Sequence, residues 1–300
     1  MKSSIHVVAV LVALVAGCGA SRQRAWDAPT AAAREVTDVE RENAPNAARA
    51  AAAAWSERGS EESLRAAIAG WEQVVAVDPN DHETLVRLAH AYYFLADGYL
   101  SFDPSNRVEM LATFEKGTHA AELALMALSS DFATRMRAGT RFDEAVAILD
   151  GAAAPALYWR SANLAKWVAA QGSGAQRMYK DEIRAGMARS LELDASYDYG
   201  GAHRYFGTFY ARTASYAGGD LGRSKLHFEQ ALRVGPRYFA TRVLYAEEYA
   251  AKARDRATFD AQLAYVLAHE PSELADAAPE NTVEQQRAVE LQGRAGRLFH

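Results

Sequence analysis

From Ser60 onward the apolar residues recur at intervals of three and four, and alternating runs joined by Asn-Gly or Asp-Gly turns do not occur. That periodicity predicts helices along the whole body. Breaks fall at Asp78-Pro79-Asn80, Asp103-Pro104-Ser105, Gly172-Ser173-Gly174, Gly218-Gly219-Asp220, Gly235-Pro236 and Glu270-Pro271, dividing the chain into helices of ordinary length.

The helices repeat. Ala67, Trp71, Val74, Val75 and Pro79 occupy the same relative positions as Ser224, Phe228, Ala231, Leu232 and Pro236, with a weaker copy at Ile183, Met187, Ser190, Leu191 and Ala195. Partner helices carry a bulky residue, an apolar one three later, then a small one, then an aromatic. Leu85, Leu88, Ala89, Tyr92 satisfy this, as do His203, Phe206, Gly207, Tyr210 and Arg242, Tyr245, Ala246, Tyr249. A small residue lets two antiparallel helices cross closely, and stacked pairs bury the apolar face that one pair leaves open. Spacing is uneven and the segment from Arg107 to Ala152 fits badly. The expected fold is therefore all-α, an irregular superhelix of antiparallel helix pairs resembling a tetratricopeptide α-solenoid, over residues 56–300.

The N-terminus differs. After Lys2, an apolar run from Ile5 to Ala16 is too short for a bilayer core of about 30 Å and fits the h-region of a signal peptide spanning residues 1–17. Val15-Ala16-Gly17-Cys18 resembles the bacterial lipobox, in which the cysteine becomes the acylated first residue; several acyl chains anchor stably where one is marginal. With no acidic residue at Gly19 or Ala20, the expected address is periplasmic, anchored through Cys18 to the outer membrane. Pro29, Pro45 and the Ala-rich stretch after Asn46 make residues 18–55 an expected lipidated tether.

Charge and cysteine count narrow the function. A formal charge of -5 provides no basic footprint for nucleic acid, so the membrane is approached through the lipid anchor alone. One cysteine excludes disulfide frameworks and thiolate zinc sites. None of the eight histidines forms an HExxH or a helical pair three or four apart, and no phosphate-binding loop or nucleophile elbow is present. Neither an enzyme nor a metal or cofactor site is expected.

Three stretches carry a family resemblance: Gly200-Gly-Ala-His-Arg-Tyr-Phe-Gly207, Ala217-Gly-Gly-Asp-Leu-Gly-Arg-Ser-Lys-Leu-His-Phe-Glu-Gln-Ala-Leu232 and Leu244-Tyr-Ala-Glu-Glu-Tyr-Ala250. They resemble the T component (TatT) of tripartite ATP-independent periplasmic (TRAP) transporters. Ala156-Leu-Tyr-Trp-Arg-Ser-Ala-Asn-Leu-Ala-Lys-Trp167 looks like that family's aromatic-rich helix, and the lipobox and the helix from Glu284 to Leu298 sit where the family has theirs. The resemblance implies an extracytoplasmic lipoprotein working beside a substrate-binding P component, oligomeric, with a groove or pore for a small hydrophobic or carboxylate-bearing ligand.

Candidate ligand residues lie on the two central helices. Arg160, Asn163 and Trp167 share one stripe, and Trp159, Ala162 and Lys166 the next. Aligned to the repeat, Asn163 takes the small-residue position and Lys166 the aromatic one; polar groups at would-be core positions are costly unless partnered, so these two either line a groove or, with the register shifted by one, are solvated. His203 is either structural or a ligand contact; Tyr210 shares its face, and Arg204 either pairs with Asp198 or meets a carboxylate bidentately. Tyr92, Tyr93, Phe94 and Tyr99 are expected as core and pore wall. Two other functions remain open: a lipid-anchored adaptor gripping a peptide during envelope assembly, and a hydrolase pairing His203 with Ser215 or Thr208.

Overall fold

The structure, a computed structural model, describes residues 21–28 and 35–299. The expected signal peptide and the expected acylation site, Cys18, lie outside the described residues. Among these the fold is all-α with no strand, as the periodicity predicts, and no helix is long and apolar enough to cross a membrane.

Helices α1 (Asp38–Ser56) and α2 (Glu61–Val77) form the first antiparallel pair, α3 (His82–Gly98) and α4 (Arg107–Leu128) the second. Two short helices, α5 (Ser130–Arg137) and α6 (Phe142–Val146), follow. The third pair is α7 (Ala154–Gln171) with α8 (Ser173–Leu193), and the fourth is α9 (Tyr197–Arg212) with α10 (Leu221–Val234). α11 (Phe239–Leu244) then runs through a π-helical stretch, Tyr245–Ala250, into α12 (Ala251–Ala253). α13 (Arg256–Ala268), α14 (Ala278–Gly293) and α15 (Ala295–Leu298) complete the chain.

Short polar side chains start several helices, and one of them, Asp220, lies in a break that the sequence marks. Ser60, Asp81, Asp220 and Asp255 each accept the backbone N–H three positions on, at 3.0–3.1 Å, satisfying donors that a helix start leaves free. The repeat positions then meet where pairs cross. Ala67, Trp71, Leu85, Leu88, Ala89, Ser224, Phe228 and Ala231 are all buried, and Ser224 Oγ donates to Gly207 O at 2.7 Å. A Cβ at Gly207 would sit 2.8 Å from the Phe228 ring, so only glycine lets α9 and α10 approach this closely.

The segment that departs from the repeat has its own logic. α4 is long enough at 22 residues to pack on both α3 and α7, while Phe132, Met136, Phe142 and Val146 of the short helices build a local core with Leu157. The C-terminal helices gather Phe228, Phe239, Phe259, Leu263 and Leu291 into another. Ion pairs remote in sequence tie the ends together: Arg58 donates to Glu280 at 2.8 Å and Arg287 to Asp97 at 2.9 Å, joining α14 to the first two pairs.

One expectation is corrected. Residues 18–55 read as a solvated tether, yet α1 packs on α2, burying Ala51 against Gly70, and residues 22–26 return to the middle of the molecule. Composition masks this because small side chains suit a tight crossing as well as a solvated helix, and Trp26 finds its cavity only among residues about a hundred positions away.

Gly207→Ala should lower stability by about 1–3 kcal/mol, the usual cost of overpacking a tight crossing. Urea unfolding checks this; an unchanged midpoint and slope would contradict the α9–α10 crossing.

Candidate functional site

The stripe expected on α7 is buried. Arg160 and Asn163 have no exposed surface, and Trp159 and Trp167 are nearly as deep. Arg160 donates to Glu122 at 3.1 Å and to Glu182 at 2.8 Å, with its guanidinium over the rings of Phe142 and Trp26 at 4.0 and 5.1 Å. Arg22 holds the same carboxylate bidentately at 2.6 and 3.0 Å. Burial alone would raise the Glu122 carboxyl, but the Arg160 and Arg22 cations outweigh it and hold it below its ordinary range. Asn163 donates to Ala89 O and Trp159 O at 3.0 and 2.8 Å, and a Cβ at Gly117 would come within 2.6 Å of Asn163 Cγ. Trp167 packs edge-on against Tyr179. Arg160, Asn163 and Trp167 therefore face helix crossings and not an open groove, because α4 covers this side of α7.

Lys166 is the partly exposed member of the stripe. Its Nζ meets Asp97 Oδ1 at 2.6 Å, and Arg287 takes the other carboxylate oxygen. Burial would push Asp97 up; the Arg287 and Lys166 cations win and hold it well below the usual carboxylate range. Tyr93, one helical turn earlier, has its hydroxyl pushed well above its ordinary value by burial and by the Asp97 charge.

Arg204 resolves onto Asp198. The chain begins α9 in a left-handed turn, with φ of 50°, 56° and 76° at Asp198, Tyr199 and Gly200, a conformation that costs non-glycine residues free energy. Arg204 holds it by donating to Asp198 O at 2.8 Å and Tyr199 O at 3.0 Å, besides pairing with the Asp198 carboxylate. Tyr158 Oη donates to the same carboxylate at 2.7 Å, and Tyr238 lies under the guanidinium. His203 Nδ1 lies 3.0 Å from Nδ1 of His227 on α10, and Tyr210 stacks on the His227 ring. Burial, His203 and Arg223 lower His227 to about 4. Among the described residues no group of three or more metal-ligating side chains occurs.

An aromatic pocket opens elsewhere, between α1, α2 and α3. Ala52, Trp55, Trp71, Arg87 and His90 line a cavity of about 310 Å³. His90 stacks on Trp159 at 3.9 Å with Trp55 edge-on at 4.9 Å, and Trp159 Nε1 donates to Tyr197 Oη at 2.7 Å. Burial, with a smaller contribution from Arg58, lowers His90 to about 3, so the ring is neutral near pH 7. Arg87 is half exposed and pairs with Glu83 at 3.3 Å. A neutral aromatic wall with one accessible cation suits an apolar molecule that carries a negative group.

Sequence reasoning expects Trp159 in a groove of the central helices, whereas here it stacks on His90 behind the pocket, and it misses Trp55, His90 and Arg87 as a group. Their one local signal is position: His90 and Arg87 flank the buried pair Leu88–Ala89, and Trp55 closes an Ala-rich helix. The Asp97–Arg287 and His203–His227 contacts join residues 190 and 24 positions apart and leave no pattern to read.

Two outcomes test this geometry. Because His90 is protonated in the unfolded chain below about pH 6.5 but stays neutral when folded until near pH 3, stability falls as pH drops through that window. His90→Phe should remove part of that slope in urea unfolding at a series of pH values; an identical slope would place His90 in water. Glu122→Ala, which strands two buried guanidinium groups, should cost about 3–5 kcal/mol. A loss under about 1 kcal/mol, the range of exposed pairs, would contradict the burial.

Against known proteins, the sequence model of the family described as TRAP transporter T-component matches residues 71–299. Among curated proteins nothing matches.

Proposed function

This chain belongs to the TRAP transporter T-component family, and we propose that it serves such a system as a lipid-anchored accessory that binds a P-component substrate-binding protein and a small hydrophobic carboxylate. Membership carries the accessory role in TRAP transport and an association with the cell envelope. The finer reading adds acylation at Cys18, an outer-membrane address, oligomerisation, and docking and ligand relay without covalent chemistry.

The pocket at Trp55, Trp71, Arg87 and His90 is the observation that supports the ligand. Its volume of about 310 Å³ lies at the small end of the range for ligand sites and would hold a short apolar chain. Three aromatic rings supply burial, and the neutral His90 avoids placing a second charge against it. Arg87 offers the carboxylate a charge-assisted hydrogen bond in exchange for its exposed pair with Glu83, a pair that contributes little on its own. The residues first expected to bind, Trp159, Arg160, Asn163, Lys166, Trp167, His203, Arg204 and Tyr210, then divide. Trp159 backs the pocket through His90, and the others organise the helices around it.

Two measurements test the reading. Decanoate should quench the tryptophan emission of the purified protein in a saturable way, and Arg87→Ala, at an exposed position, should weaken that binding roughly tenfold, the worth of one charge-assisted bond. Native mass spectrometry should show a complex with the P component. Decanoate binding unchanged by Arg87→Ala would remove the pocket from the proposal, and a protein indifferent to the P component would remove the partner.

A further inference from the structure

We propose that residues 22–27 form a built-in clamp that holds the helical body against the membrane in which Cys18 is anchored, with the surface of α8 around Tyr179 turned to the lipid. This rests on the acylation of Cys18 proposed above.

The segment is locked in by several kinds of contact at once. The Arg22 side chain is only 1% exposed and makes its bidentate pair with a Glu122 that is fully buried. Its backbone N–H donates to Tyr179 Oη at 3.0 Å, and the Ala25 N–H donates to Glu122 at 2.9 Å. Arg24 reaches Glu182 at 2.6 Å. Trp26, 3% exposed, stacks on Phe142 at 6.0 Å and meets Phe132 edge-on at 5.9 Å. Glu122 thus receives α7 through Arg160 and the N-terminal segment through Arg22. Withdrawing the segment would leave a charge and an aromatic cavity without their partners, which opposes detachment.

Chain length turns this lock into a constraint on position. Arg22 is four residue steps from Cys18, and a fully extended chain spans at most about 3.6 Å per residue, so Arg22 can stand no more than about 14 Å from the anchored residue. If the chain from Cys18 to Asp38 were free, its end would wander at an r.m.s. distance of about 25 Å, taking about 5–6 Å per root residue for a flexible linker. The clamp therefore selects which face lies nearest the bilayer.

The chain leaves the fold at Ser21, beside Tyr179. Next to Tyr179 on α8, Met178 is 52% exposed, and the exposed charges of this stretch are Arg177, Lys180 and Arg184 against Asp181, which pairs with Arg184 at 3.6 Å. An exposed apolar side chain on a stretch with more cations than carboxylates suits an anionic headgroup layer.

The test uses the full acylated protein in phosphatidylethanolamine–phosphatidylglycerol vesicles that contain a headgroup-labelled acceptor lipid. A donor is attached at Gln176→Cys, the one free thiol once Cys18 is acylated. Energy transfer should be high in this background. It should drop at least twofold when a 20-residue Gly-Ser spacer is inserted between Ala20 and Ser21, which leaves the clamp and the fold intact. The Arg22→Ala/Trp26→Ala variant, shown to be helical by circular dichroism, should lose transfer to a similar degree, and Met178→Glu should lower it with the clamp in place. Mass spectrometry of the same samples reads the acyl group. Acylated protein whose transfer ignores both the spacer and the double substitution would overturn the clamp while leaving the anchor standing. Absence of the acyl mass, with no vesicle association, would overturn the anchor and the clamp together.

Discussion

A single carboxylate with no access to solvent organises the middle of this molecule. Glu122 lies on α4 and is fully buried; alone, such a charge would cost several kcal/mol to place there. It persists because two guanidinium groups and a backbone N–H converge on it from two separate parts of the chain: α7, through Arg160, and the N-terminal segment, through Arg22 and Ala25. The arrangement is demanding. Arg160 must point inward from a helix otherwise rich in aromatics, and its faces must be covered by Trp26 and Phe142, since its Nη1 has no hydrogen-bond partner. The packing of α4 on α7 and the return of the N-terminal segment are two consequences of the same buried charge.

A second layer of ion pairs settles how the ends of the chain meet. Asp97 accepts from Lys166 of α7 and Arg287 of α14, and Arg58 at the α1–α2 turn pairs with Glu280. The Arg287–Asp97 and Arg58–Glu280 pairs join the first helices to α14, while Lys166 ties α3 to α7. Between these contacts lie the half-buried tyrosines 93, 197, 199 and 205 and the buried Arg204. Arg204 spends its hydrogen bonds on a left-handed turn, which makes it a structural pin for the start of α9. The aromatic pocket stands apart from this polar interior, on the α1–α3 side, with Trp159 stacked behind its His90 wall.

Much of this was legible along the chain. Helical periodicity, the turn residues that break it and the small residues at crossings are local patterns, governed by the 3.6-residue repeat and by steric contact between adjacent helices; family membership followed from the stretches around His203, Phe228 and Tyr249. The sequence by itself therefore determined the fold class, the pairing of neighbouring helices and the family. It also flagged Asn163 and Lys166 as polar groups at would-be core positions, in need of partners or of solvent. What it could not name was the partner. Glu122 is 38 positions from Arg160 and 100 from Arg22, and Ala89 is 74 from Asn163; contacts of that range carry no periodicity and depend on how whole helices lie against one another. Only the tertiary structure decided that those residues are interior, that the N-terminal stretch is docked in the core, and that the accessible aromatic surface lies at Trp55 and His90. The physical reason is that burial belongs to the assembled packing, whereas the amphipathic pattern of one helix shows only which face will be covered.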